Sequence, residues 1–259
     1  MFLTFADLRK GAFPGPSEFG AIISFDDCFL DNYTNGLEVL EKMEVKSVFF
    51  QTTGMVEAEN LIWEHALYWL IRNDEGICSF TALAHRILGH IPGVRERRGR
   101  ELVEFLREQV PALSVEHLLS HARQQPGVAE GLQEAAERAY PKASHLREAQ
   151  RLGHEIGSHS HRHYKRSNID EKTFESELGR SFEALTNMLG RKPGAFSYPF
   201  NSHHEGDKQI CAKYFLQGVT VERAYIDRQS DPMWLPRFTW PGTAKSSSRR
   251  RRWLLTGRI

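Results

Sequence analysis

Two short apolar runs constrain this chain most: Ala21-Ile22-Ile23-Ser24-Phe25 and Ser47-Val48-Phe49-Phe50-Gln51-Thr52. Apolar runs of that length, without strict polar alternation, suit strands buried on both faces. Between them Leu37, Leu40 and Met43 recur at helical spacing, and Asp31-Asn32 offers a helix N-cap. Strand, helix and strand in that order seed a parallel sheet or barrel, because parallel neighbours need a crossover. The first run ends abruptly in two carboxylates, Asp26 and Asp27. In such folds the C-terminal ends of the strands are where ligands gather.

From about residue 56 to 150 the pattern changes. Leu61, Trp63, Leu67, Trp69 and Leu70, then Leu102, Phe105 and Leu106, fall at three-and-four spacing. Pro92-Gly93, Pro111, Pro126-Gly127 and Pro141 divide this stretch into several short helices. The strand and helix alternation then resumes. Strands are predicted at Glu155 to His159, Ala195 to Phe200 and Gly218 to Val221, with helices over Glu171 to Leu189 and Asp207 to Tyr214. A single α/β domain over 1–244, with a helical insertion at 56–150, is the expected organisation.

The 259 residues, 40% of them hydrophobic, suffice for one large α/β unit with a sizeable core. A net charge of +1 provides no global field for nucleic acid. No apolar run is long enough to span a membrane, and the start of the chain lacks the pattern of an export signal. Three cysteines without metal-ligand spacing suit a reducing compartment, so a cytoplasmic location is expected. The tail 245–259, with Arg249 to Arg252, reads as a basic, solvated, mobile terminus.

Twelve histidines are enough for a spaced pair to arise by chance, so context decides. His117 and His121 sit in the helical block with no third ligand nearby and read as solvent-facing. His154-Glu155 lacks the spacing and the helix of a zincin motif. His159 and His163, in contrast, leave a predicted strand end, as Asp26 and Asp27 do. One carboxylate and two imidazoles form a three-ligand set that keeps a position open for water, as a catalytic zinc site does. The second aspartate stays free to take a proton from that water.

Ser24-Phe25-Asp26-Asp27, His159-Ser160-His161-Arg162-His163 and Phe196-Ser197-Tyr198-Pro199-Phe200 resemble, in this order, the first three motifs of the polysaccharide deacetylases of carbohydrate esterase family four. The resemblance covers about Ile22 to Gln51 and Leu146 to Arg237, and leaves the helical block unmatched. It implies an α/β fold, a partial or distorted (β/α) barrel of about seven strands. The implied activity is hydrolysis of an N-acetyl, or occasionally O-acetyl, group of a sugar, such as a precursor of surface polysaccharide. By position, Asp26 is implied as the base. Asp27, His159 and His163 are implied as ligands of a divalent metal, usually zinc, and the Phe200 N–H as a donor to the oxyanion. Tyr198 and Pro199 of the third motif are expected at the substrate, and Arg237 is expected to orient Asp26.

Three positions depart from the family pattern. Cys28 replaces the usual glycine after the aspartate pair, and Ser197 stands where an arginine is frequent. The late Leu-x-x-His motif, whose histidine protonates the leaving amine, has no counterpart after Leu235-Pro236-Arg237; His203 and His204 are the nearest histidines in sequence. These departures keep a second class open, a catalytically silent relative that binds a glycan or a protein. An oligomer is compatible with both readings.

Overall fold

The computed structural model describes residues 1–15, 17–58, 60–73 and 79–239. Five parallel strands lie side by side in chain order: β1 (Ser24–Phe25), β2 (Val48–Gln51), β3 (Glu155–Ser158), β4 (Ala195–Ser197) and β5 (Gln217–Val219). The helices are α1 (Phe5–Arg9), α2 (Leu37–Lys42), α3 (Trp63–Arg72), α4 (Phe80–Leu88), α5 (Gly99–Gln109), α6 (Ala112–Ala122), α7 (Val128–Ala139), α8 (Ala143–Arg151), α9 (Glu171–Leu189) and α10 (Asp207–Cys211). The result is a curled half-barrel, so the expected distorted barrel holds, but with five strands among the described residues rather than about seven. Isolated parallel bridges, Phe2 with Ala21 and Val219 with Leu235, extend the curl at its two edges without becoming strands. At one edge the chain turns at once into α1, which Thr4 caps in a reciprocal box with Asp7. At the other, Pro236 has no N–H with which to continue a ladder.

The two-residue period of the strands sorts side chains between two environments. Val48, Phe50, Ala195, Val219 and Leu235 share one inner cluster with Phe5 of α1, which closes the N-terminal end of the half-barrel. At that end Glu155 accepts from the Ala6 N–H at 2.7 Å and pairs with Arg9 at 2.6 Å, and Arg9 also donates to Gln217. The alternate residues face outward. Phe49 and Ile156 pack with α2, α8 and α9, and Phe196 and Tyr198 pack with α9 and α10. Helix α9 spans the predicted residues, with Asp170 accepting from Thr173 N at the start and left-handed Gly190 at the end.

Helices α3 to α7 form their own apolar cluster, which runs from Met55 to Tyr140 and includes Tyr164. Helix α8 does not belong to it. Leu146 and Ala149 pack on the outer face of the sheet, so α8 is the sheet's own crossover helix. The helical block therefore ends near Ala139, short of the expected residue 150. The basic tail 245–259 lies outside the described residues, and among those described no helix is long and apolar enough to cross a membrane.

Gly157 of β3 faces the inner cluster. A Cβ there would lie 2.7 Å from the Phe50 ring and 2.9 Å from the Ala195 carbonyl oxygen, which is backbone and cannot rotate away. Gly157→Ala is expected to destabilise the fold by about 1–3 kcal/mol through overpacking, read as a lower urea midpoint.

Candidate active site

The strand ends deliver the polar residues. The alternation that puts Ser24 on the inner face also puts Asp26 there, and in β3 and β4 it does the same for His159 and Ser197. Asp27 and Cys28 follow β1 with φ of 63° and 62°, two successive left-handed residues at the place where the family pattern has a glycine. This turn is held by the Thr52 N–H and the Gln51 side-chain amide, both donating to the Asp27 carbonyl at 3.3 Å. It swings the Asp27 carboxylate over the mouth of the half-barrel.

Asp27 Oδ1 lies 3.1 Å from His163 Nε2 and 3.5 Å from His159 Nε2. One ligand atom from each of the three residues falls within 4.8 Å of the others. Each imidazole is oriented from behind: His159 Nδ1 lies 2.8 Å from the Ser197 carbonyl oxygen, and His163 Nδ1 lies 3.0 Å from Glu64 Oε2. With Nδ1 donating in both rings, both Nε2 lone pairs point at the shared position. The histidine side chains are 3% and 8% exposed and that of Asp27 is 38% exposed, so solvent reaches the group from the Asp27 side only. Two imidazole nitrogens and a carboxylate oxygen, braced in this way, fit a divalent cation of the zinc type with an open place for water.

Without a cation, a proton on His163 takes the place between it and Asp27. Burial disfavours charge on His163, yet Asp27 and Glu64 on either side outweigh it and push its pKa up to about 10. Burial works against the Asp27 carboxylate as well, but the hydrogen bond and charge of His163, with His159 and His65, hold its pKa far below the carboxylate range. Burial pushes the Cys28 thiol well up, and the Asp26 and Asp27 charges add to that; its Sγ donates to the Phe25 carbonyl at 3.4 Å, outside the three-residue ligand group.

Asp26, whose nearest charged neighbours include the ligand His159, is held in a clamp. Arg237 donates to both of its oxygens, at 2.7 and 2.8 Å, and Ser197 Oγ donates to Oδ2 at 3.2 Å. The same guanidinium reaches Ser197 Oγ at 2.7 Å, Ser24 Oγ at 3.0 Å and the Thr220 carbonyl at 3.2 Å. The short side chain at 197 admits a guanidinium supplied from later in the chain. Burial raises the Asp26 pKa, but His159 and Arg237 more than offset it, so the net shift is downward. Phe200 has φ 57°, its ring lies 4.6 Å from that of His163, and among the described residues its N–H donates to no protein acceptor.

The structure does not bring every expected residue to the site. Tyr198 lies on the outward face of the sheet, 1% exposed among Phe196, Cys211 and Phe215, because strand alternation turns it opposite to Ser197. Its ring packs in the outer apolar cluster and not beside the three ligand side chains. Pro199 is buried beside it and opens the turn that carries Phe200. His203 is enclosed by Tyr198 and Trp234, and neither it nor His204 has a contact with Asp26. His117 and His121 face solvent on α6, 3.2 Å apart.

Two residues that the sequence reading passed over come from the helical block. Glu64 braces His163 and is itself bound by Arg107 at 3.2 Å. His65 bonds Tyr140 at 2.6 Å and packs on Phe29, close enough to lower the Asp27 pKa. A signal for Glu64 was present: it is a carboxylate on the buried face of α3, next to Trp63 and three residues before Leu67. A buried acid on an apolar stripe needs a partner.

Comparison with known proteins places this geometry. The sequence profile of the polysaccharide deacetylase family matches residues 116–219, which hold His159, His163 and Phe200 but not Asp26 or Asp27. No curated protein sequence matches the chain. Among solved structures, the Streptococcus pyogenes deacetylase PplD in complex with acetate aligns with a TM-score of 0.55 and 14% identity, over 92% of this chain and 73% of its own. IcaB from Ammonifex degensii aligns with a TM-score of 0.54 and 17% identity, over 93% and 74%. A polysaccharide deacetylase from Bacillus cereus aligns with a TM-score of 0.52 and 15% identity, over 92% of this chain; the chain spans about half of that structure's length, 51%. The resemblance to the polysaccharide deacetylases thus holds both in a stretch of sequence and in the fold.

Glu64 gives the site a direct check. Glu64→Gln keeps the shape but removes the charge behind His163, and it is expected to weaken zinc binding about 10–100-fold in competition with a fluorescent chelator. His163→Ala, which deletes a ligand, is expected to weaken it further.

Proposed function

We propose that this chain is a metal-dependent hydrolase that removes an acetyl group from an N-acetylated sugar. The observation that carries the reading is the convergence of Asp27, His159 and His163 beside an Asp26 clamped by Arg237. A bound zinc ion would supply Lewis-acid polarisation of the acetyl carbonyl and would acidify the attacking water. The remaining work falls to the chain's own residues.

Asp26 is the base that takes the proton from the attacking water, and Arg237 and Ser197 hold its carboxylate in one orientation. The downward pKa shift that His159 and Arg237 impose makes Asp26 a modest base but, once protonated, a stronger acid. The late histidine is absent, so the same carboxyl returns the proton to the leaving nitrogen. The Phe200 N–H, presented by its left-handed turn, donates to the oxygen on which charge develops.

The substrate class follows from the family resemblance. The free, buried thiols Cys28 and Cys211 suit a reducing compartment. Our reading is a cytoplasmic reaction on a sugar precursor of surface polysaccharide.

Zinc-loaded protein is expected to release acetate from an N-acetylated sugar panel and to stop in chelator. Asp26→Asn is expected to lower kcat about 10²–10⁴-fold while zinc content stays near one per chain. Full zinc occupancy with no acetate release from any member of the panel would favour the binding-module reading instead.

A further inference from the structure

The helical block carries a second pair of imidazoles, on its solvent side. In α6, Val115, Leu118, Leu119 and Ala122 are buried in the block's own apolar cluster, which fixes the rotation of the helix about its axis. His117 and His121, one turn apart, are thereby held outward on the exposed face. Their Nε2 atoms lie 3.2 Å apart, and the rings meet edge to face at 72° with centroids 4.8 Å apart. No other side chain among the described residues bonds either ring.

Without a metal, one Nε2 donates its proton to the lone pair of the other. The same spacing suits two nitrogens on one metal ion. With metal–nitrogen bonds of about 2.0–2.1 Å, nitrogens 3.2 Å apart subtend an angle of about 99–106°, between the square and the tetrahedral values. Positions i and i+4 are those by which one helix face offers two imidazoles to zinc. Neither Nδ1 bonds a protein group among the described residues, so both ring protons can sit there, in water, while both Nε2 lone pairs face the ion. The donor set also selects the class of ion. Among the described residues no carboxylate or thiol joins the pair, so the protein offers nitrogen alone. Imidazole suits copper, nickel and zinc, whereas calcium and magnesium take oxygen ligands.

We propose that His117 and His121 form a second metal site, which takes a transition-metal dication of the nickel, copper and zinc group. The two Nε2 atoms bind the ion from one side, and water fills its remaining positions. A third protein ligand is not needed, because the face is open to solvent. The pair shares no residue with Asp27, His159 and His163, so the inference does not depend on the hydrolase reading.

The test titrates nickel chloride into the full chain by calorimetry and repeats the titration with His117→Ala and with His121→Ala. Both side chains face solvent, so both variants are expected to fold as the parent does. The parent is expected to bind one more nickel ion per chain than either variant. The two variants should lose the same ion, since a single imidazole does not chelate. Zinc in place of nickel should give the same difference, and magnesium none. All three proteins keep Asp27, His159 and His163, so whatever that group binds cancels in the comparison. Failure of the hydrolase reading and failure of this one are therefore told apart. Equal nickel uptake in all three proteins, a loss in only one of the two variants, or a magnesium difference as large as that for nickel would each overturn the proposal.

Discussion

The guanidinium of Arg237 holds together what the backbone leaves apart. The sheet is open: β1 and the segment at Leu235 lie at opposite edges, and no ladder among the described residues joins them. Arg237 bridges that gap by bonding Ser24 and Asp26 from the first strand, Ser197 from the fourth and the carbonyl of Thr220 after the fifth. Charge-assisted, bidentate hydrogen bonds are among the strongest available to a side chain, and a planar guanidinium fixes direction as well as distance. The orientation of Asp26 and the closure of the half-barrel thus have one cause.

The same bond sets the chemistry available to Asp26. A carboxylate in a mostly closed site would ordinarily be pushed toward its neutral form, and here two cationic or potentially cationic neighbours reverse that tendency. Asp27 is treated differently. Its partners are imidazoles whose far nitrogens are already committed, so its oxygen and their free nitrogens share one point. Adjacent in sequence and identical in type, the two aspartates acquire separate roles because the left-handed turn at 27 and 28 aims them in different directions.

The helical block is more than an appendage to the sheet. Through Glu64 it supplies the charge behind His163, and through Arg107 it fixes Glu64 in turn. A site of this construction depends on docking of the block, since removal of α3 would leave a buried histidine without its brace. That dependence ties the stability of a five-helix cluster to the geometry of three ligands on the barrel.

Much of this was legible in the chain itself. Apolar runs placed β2, β3 and β4 to within a few residues, the helix expected over Glu171 to Leu189 is α9, and the motifs singled out Asp26, Asp27, His159, His163 and Arg237. Local patterns determine such features because period, capping and turn chemistry act over a few residues. Three things were decided only by tertiary packing: the number of strands, which face of β4 Tyr198 occupies, and the position of Glu64 behind His163. Edge pairing fails where a proline or a helix cap intervenes, and sidedness follows from register across strands. Partners 99 residues apart, such as Glu64 and His163, meet only once the sheet and the helical block have docked. No spacing rule records that contact, because its distance is set by packing in space and not by steps along the chain.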